Sequence, residues 1–345
     1  MLIKVTAWAL VTGLVVFTSI SCLSSERTDI VVLVNGDSVT GEIQELEFGT
    51  LEYDTDSLGT VQIDWEDITS VTTAQYVEVE TESGQRYYGS LELTEAVDTI
   101  AVGFGDEVDV IAKSEVIRIV PIATNESFVK RLEGTFSLGL VTDKSSGVTQ
   151  GRITTNIKYR TTDYLVGLNL DSISTVQDST DNTQRHNLGL NYERFREDRW
   201  FTDWTLTAEQ NDELSLDLRV SIGGGLGRYL VQTNQNQFSL VLGLVATRES
   251  FTSDESSVTN AEGRISIKYL HRSLVPESNI TFSTNVFPLL EDLSSFRAET
   301  NLTFRREFVK DLFLDLSFYH TYLSDPVAGS DSSDYGASTS LGYEF

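Results

Sequence analysis

The chain has 345 residues, with 25 Lys and Arg against 52 Asp and Glu, a formal net charge of -27. That balance excludes a nucleic-acid partner, because phosphate recognition needs clustered cations. It also makes an anionic lipid surface a poor electrostatic partner. One cysteine excludes an internal disulfide and any cysteine-based metal site, and three histidines make a multi-histidine metal site unexpected. No cofactor and no metal are expected.

Residues 1–21 read as a secretory signal: Lys4 supplies the positive start, Val5 to Phe17 is mostly apolar, and Ser19 and Ser21 are the small residues before a cut at Cys22. The apolar run is too short to span a bilayer. Cys22 opens a second reading, a lipid-modified N-terminus, although Ser19 departs from the Leu, Val or Ile usual three residues before such a cysteine. Otherwise Cys22 is removed or stays as a lone thiol. No later apolar run approaches the roughly 20 residues of a membrane-spanning helix, so a helical inner-membrane protein is excluded. An exported soluble protein and an outer-membrane barrel remain.

Residues 26–125 hold 22 of the acidic residues and only Arg27, Arg86, Lys113 and Arg118 as bases. Within them runs an internal repeat at an offset of 48 residues: Val31 matches Val79, Gly36 matches Gly84, Gly41 matches Gly89, Ile43 matches Leu91, Ile63 matches Ile111, and Val71 matches Ile119. Asn35-Gly36 and Ser83-Gly84 are tight-turn pairs between strands. The pattern of apolar strand, turn glycine, strand and second glycine resembles an Sm-like small β-barrel, twice over, with copies at about 29–73 and 77–121. Sm-like proteins often bind RNA through basic loops, and the scarcity of bases here argues against that. Glu66-Asp67 and Asp106-Glu107 read as solvated surface. Pro121 and the polar stretch after it mark a boundary, giving an acidic tandem domain over 26–122 and a second domain over 130–345.

From Leu132 the sequence alternates apolar and polar residues with a period of two, the mark of strands with two different faces. Twelve strands are predicted, at 132–142, 148–160, 163–175, 183–196, 199–210, 214–230, 236–250, 258–272, 278–287, 295–308, 311–323 and 333–345. The number is even, and none of the four prolines is placed inside a strand. Short turns such as 161–162 and 309–310 alternate with longer Ser- and Asp-rich loops at 176–182, 251–257 and 324–332. Aromatics including Tyr159, Phe195, Trp200, Tyr229 and Tyr269 gather at the short-turn ends as an interface girdle, with Phe251, Phe287, Phe296, Tyr322 and Tyr335 as a partial second one. Leu214, Leu216, Leu218, Val220 and Ile222 are read as one lipid-facing stripe, and Leu312, Leu314, Leu316 and Phe318 as another. The chain ends Tyr343-Glu344-Phe345, and the Tyr343 and Phe345 pair resembles the assembly signal read by the barrel-assembly machinery. The expected fold is therefore all-β: a twelve-stranded antiparallel transmembrane barrel preceded by a periplasmic domain of two small Sm-like repeats.

The opposite face of the same strands carries Arg152, Lys158, Arg160, Asn169, Asp171, Glu193, Asp203, Glu209, Asp217, Arg219, Arg264, Lys268, Arg297, Glu299, Arg305 and Asp315. These are candidate lumen residues. They fit either a narrow charge-lined channel or a lumen plugged by its own ion pairs, twelve strands lying between the filled eight and the open sixteen.

Residues 132–345 resemble the YdiY-like, salt-stress-induced outer-membrane protein family, domain of unknown function 481. The resemblance rests on Ser221-Ile222-Gly223-Gly224-Gly225-Leu226-Gly227-Arg228-Tyr229, on Asn285 to Asp292, and on the terminal Tyr-x-Phe. It implies an outer-membrane barrel and carries no catalytic residues. The leading expectation is a non-enzymatic envelope barrel, a narrow pore or a structural element. Its expected partners are outer-membrane lipid, the assembly machinery, and a periplasmic protein bound by residues 26–122. The alternative is a lipid-acting hydrolase in the barrel wall. His271-Arg272-Ser273 has the His-x-Ser spacing but falls at the periplasmic end. The alternative therefore needs a histidine, a nucleophile and an orienting group together at the outer end.

Overall fold

The computed structural model describes residues 28–94, 96–122, 132–143, 148–177, 182–252, 257–274, 277–309, 311–326 and 331–344. The signal reading of residues 1–21, Cys22 and Phe345 lie outside the described residues. Among those described, regular structure is β apart from single 3-10 turns, and no helix is long and apolar enough to cross a membrane.

The N-terminal unit contains β1 (Asp29–Leu33), β2 (Ser38–Glu47), β3 (Thr50–Thr55), β4 (Gly59–Asp64), β5 (Ile68–Thr81), β6 (Arg86–Glu92), β7 (Thr99–Phe104), β8 (Glu107–Ala112) and β9 (Val116–Pro121). The 48-residue repeat is visible in these elements. The 3-10 turn Trp65–Asp67 before β5 recurs as Lys113–Glu115 before β9. Gly36 and Gly84 turn the chain at φ of 88° and 84°, a region that costs other residues steric strain.

The two copies do not close separately. The sheet runs β4-β3-β2-β1-β5-β6-β7-β8, and β9 returns to pair with β2 and β5. Thus Leu46 lies opposite Ile119, while Leu91 of the second copy lies opposite Thr73 of the long shared strand β5. The repeat-matched residues Val31, Val79, Ile43, Leu91, Val71 and Ile119 are all buried in one core. The physical reason is size: a lone copy of about 45 residues buries too little apolar surface to hold itself together, and joining two gives a sufficient core.

The second unit is a closed antiparallel barrel of twelve strands. They are β10 (Leu132–Asp143), β11 (Val148–Arg160), β12 (Tyr164–Gln177), β13 (Thr183–Phe195), β14 (Trp200–Asn211), β15 (Leu216–Gln232), β16 (Asn236–Phe251), β17 (Val258–Leu274), β18 (Glu277–Pro288), β19 (Phe296–Val309), β20 (Leu312–Leu323) and β21 (Ser333–Glu344). The strand count and the spans match the sequence periodicity to within a few residues. Outward positions such as Leu138, Leu206, Ile222, Leu242, Leu244, Leu314 and Leu316 are exposed. An inverted exterior of this kind suits hydrocarbon, and the ladder between neighbouring strands satisfies the backbone groups that it pairs.

Four expectations change. Leu214 and Leu216 are buried, not lipid-facing, because the ladder slips between Leu216 and Leu218. One extra residue in a strand reverses which face the preceding side chains take. The same bulge leaves Asp217 exposed, outside the set of buried inward charges. Phe195, Tyr229 and Phe287 are buried in the barrel interior and do not join a girdle. Finally, Pro121 and Pro288 are the last residues of β9 and β18, so prolines do occur in strands, at ends where the ladder stops.

The N-terminal unit sits on the end carrying the turns 161–163, 196–199 and 233–235, termed here the inner end. Arg86 Nη1 donates to Thr162 O at 3.4 Å, and Asn234 Nδ2 donates to Val116 O at 3.1 Å. The Arg199 side chain packs against Gly84.

Candidate functional site: the barrel lumen

Inward charges lie on alternate residues of neighbouring strands, so the register brings them together in rows. On β14–β17 one row reads Asp203, Gly225, Gly243, Arg264. Arg264 lies flat across the two glycines and pairs with Asp203 three strands away, while its Nη1 donates to Thr205 Oγ1 at 3.0 Å. A Cβ on Gly225 would stand 3.1 Å from the Arg264 guanidinium, and one on Gly243 would stand 2.5 Å from Gly224 O. The glycine-rich stretch on β15 therefore keeps the floor low enough for an arginine to cross.

Other inward arginines are paired in the same manner. Arg219 holds Glu209 at 3.0 Å and also Glu249. Arg297 bridges Glu262 at 3.2 Å and Glu299. Arg152 holds Asp171 at 2.7 Å, Arg185 holds Asp334 at 3.5 Å, and Arg305 grips Asp315 with two bonds of 2.9 and 3.0 Å. Several of these guanidinium groups also stack on inward aromatics: Arg185 on Tyr319 at 4.3 Å, Arg297 on Phe287 at 4.0 Å, and Arg305 on Phe313 at 3.5 Å. Arg219 and Arg264 are only 3% and 5% exposed. Side chains lining a water-filled channel would be wet, so this level of the lumen is filled. A cavity of about 170 Å³ remains beside it, lined by Arg219, Glu249, Glu262, Phe287 and Arg297 among others.

Towards the inner end the lumen changes character. Lys158, Asn169 and Lys268 face inward and are exposed, and the two lysines make no ion pair among the described residues. Below them an apolar cluster of Phe195, Phe201, Tyr229 and Val241 lies inside the wall, with Tyr229 donating to Glu193 at 3.1 Å. The N-terminal unit reaches this level. Glu47 pairs with Arg160 at 3.3 Å, and Arg118 and Arg160 both lie over the Phe195 ring, at 5.8 and 4.6 Å. Burial pushes the Glu45 carboxyl up to about 8, aided by neighbouring Glu47. Burial acts on Glu47 in the same sense, but Arg160 and Arg118 outweigh it and hold Glu47 below the usual carboxylate range.

The sequence therefore placed Arg152, Lys158, Asp203, Glu209, Arg219, Arg264, Lys268, Glu299 and Arg305 on the interior. The structure joins all but the two lysines into ion pairs. It adds Arg185, Glu249, Glu262, Asp334 and the inward aromatics. The signal for these was available: Phe287 and Phe313 share the parity of Asn285 and Asp315. Asp334, at the start of the last strand, accepts from Asn211 inside the wall at 2.8 Å.

The histidines lie on the exterior. His271 Nδ1 is 2.9 Å from Asn236 Oδ1 at the inner end. His320 Nε2 is 2.9 Å from Ser333 Oγ near the outer end. His186 Nδ1 is 2.8 Å from Ser172 Oγ, and its Nε2 is 3.4 Å from Gln184 Oε1. Among the described residues no His, Cys, Asp and Glu group is arranged to hold a metal ion.

A closed twelve-stranded barrel with an apolar exterior and an ion-paired interior defines a transmembrane β-barrel protein. The chain belongs to the family described as "Protein of unknown function, DUF481", whose model matches residues 146–345. No curated protein matches it. Among solved structures it is similar to the NanC porin at 11% identity, covering 62% of this chain and 98% of that one, with a TM-score of 0.38. The translocator domain of the autotransporter NalP from Neisseria meningitidis is 12% identical, with coverage of 64% and 90% and a TM-score of 0.32. CdiB from Acinetobacter baumannii is 6% identical, with coverage of 79% and 66% and a TM-score of 0.36. These are likenesses of fold alone.

Proposed function

We propose that the protein is an exported, non-enzymatic outer-membrane barrel with a closed lumen, a structural or gated element of the envelope, whose N-terminal unit lies on the periplasmic side. The near-complete burial of Arg219, Arg264 and Arg297 among their carboxylate partners carries this reading. A lumen filled by paired charges has no continuous water path, and opening one requires breaking several buried pairs together. Planar-bilayer recording on the heat-modifiable, folded fraction tests it. Silence is expected from the unaltered protein. Intermittent openings are expected once Arg219 and Arg264 are both replaced by Ala. Steady discrete openings from the unaltered protein would refute the reading.

One observation favours a second reading, a lipid-acting hydrolase. Ser172, His186 and Gln184 bring a nucleophile, a base and an orienting group together on the outer half of adjacent strands. An Nε2–H donated to Gln184 would leave Nδ1 free to accept the Ser172 proton. Labelling of Ser172 by a fluorophosphonate, lost in His186→Ala, would support it. Absence of both labelling and phospholipid turnover would remove it.

A further inference from the structure

The barrel is closed unevenly. Eleven of its strand junctions pair over ten to fifteen residues, whereas β10 and β21 pair only from Thr135↔Glu344 to Gly139↔Ser340. Beyond that point β10 continues through Asp143 and β21 begins at Ser333, so their facing edges part over the outer half of the wall. Leu140 and Tyr335 flank the gap and are 73% and 70% exposed. Unpaired strand edges within a membrane are costly, and something must satisfy their N–H and C=O groups.

Two further features meet at this gap. On the exterior, a shallow groove of about 620 Å³ is lined by Ile280, Leu302, Phe304, Leu316 and Phe318, and it ends on the free edge of β21 at Ala337–Thr339. On the interior, Arg152 reaches beneath β10, in the row Arg152, Gly139, Ser340, and donates from Nη1 to Ser338 Oγ at 2.6 Å. Its Nε and Nη2 are engaged by Asp171. Among the described residues the Nη1 group thus has only a neutral hydroxyl partner, which a phosphate oxygen can replace with a stronger, charge-assisted bond.

We propose that the outer half of the β10–β21 seam binds an anionic amphiphile of the surrounding membrane. Its acyl chain lies in the exterior groove, and its phosphate enters between the parted strands to Arg152, Ser338 and Ser340. Phosphate and ester oxygens accept from the free N–H groups of the two edges. The site needs the barrel to be membrane-embedded but not the lumen to be closed, so bilayer recording and lipid binding fail independently.

The test is native mass spectrometry of the full-length protein released from mixed micelles containing phosphatidylglycerol or phosphatidylcholine. Bound phosphatidylglycerol is expected on the unaltered protein, reduced at least tenfold in Arg152→Gln and unchanged in Arg306→Gln, an exposed arginine on the exterior face. Equal retention by Arg152→Gln, or equal binding of phosphatidylcholine, would overturn the proposal. Displacement of the lipid by millimolar inorganic phosphate would reassign the site to a free anion and overturn it too. Should Arg152→Gln lose the heat-modifiable fold, the seam is read directly with a short thiol cross-linker in a Cys22→Ser background. Leu138→Cys with Leu341→Cys is expected to cross-link, and Leu140→Cys with Thr339→Cys is not. Equal cross-linking of both pairs would mean a closed seam and no site.

Discussion

Replacing Asp203 by Ala leaves the Arg264 guanidinium inside the wall without its counter-charge. Arg264 is 5% exposed, and its remaining partner is the Thr205 hydroxyl at 3.0 Å. Removing one member of a buried ion pair costs about 3–5 kcal/mol, most of it the penalty of an uncompensated charge. The Thr205 bond and the wetter lumen nearby place this site at the lower end. About 3 kcal/mol corresponds to roughly a hundredfold loss in the ratio of folded to unfolded protein. Adding Arg264→Met removes the stranded charge while filling the row with an unbranched side chain, so the double variant is expected to cost only about 1 kcal/mol. Arg264→Met alone strands the buried Asp203 carboxylate and adds its own cost, so the double-mutant cycle would show a coupling of at least about 2 kcal/mol. The assay is urea unfolding in lipid vesicles, followed by tryptophan fluorescence and by heat-resistant mobility on gels. An Asp203→Ala cost below about 0.5 kcal/mol, with no coupling to Arg264, would refute the argument that the row is a buried electrostatic unit.

Other consequences follow from the same geometry. Gly243→Ala drives a Cβ to 2.5 Å from Gly224 O and 2.9 Å from Gly225 Cα, both backbone, and is expected to destabilise the barrel by roughly 1–3 kcal/mol in the same titration. Glu47→Ala removes the carboxylate from Arg160, and faster amide exchange in β2 and in the 161–163 turn is expected, with the barrel strands unchanged. The two carboxyls give opposite pH dependence. Glu45, raised from 4.5 to about 8, binds its proton more tightly when the N-terminal unit is seated, so seating weakens as pH rises from about 4.5 through 8, and Glu45→Gln should flatten that slope. Glu47, lowered by its arginines, contributes stability above its ordinary value that is lost as pH falls through its folded value, which an amide-exchange series at acid pH reads directly.

Much of this architecture was legible without coordinates. A period of two over long segments can only make strands, and strands that expose leucine on one face and charge on the other must place one of those faces against a second medium. The 48-residue repeat pointed to equivalent buried positions, because each repeat buries the same side of the same strands. The parity of Arg152, Asp203, Glu209, Arg219, Arg264, Glu299 and Arg305 placed them on one face before any partner was known.

What alternation cannot encode is where it is interrupted and what lies across the space it encloses. The slip at Asp217 turned Leu216 inward, and nothing local to that segment announces it, since the bulge is set by the register of β14 and β16. The pairing of Arg264 with Asp203, 61 residues away, depends on two intervening glycine positions falling in the same row. The exchange of closing strands between the two repeat copies, the seating of Glu47 on Arg160 and the short seam between β10 and β21 are long-range contacts fixed when the chain closes on itself. Sequence determined the strands and their two faces, because those follow from sterics between neighbours in the chain. The filled lumen was decided by tertiary structure alone, because it follows from which charges the closed cylinder brings into reach.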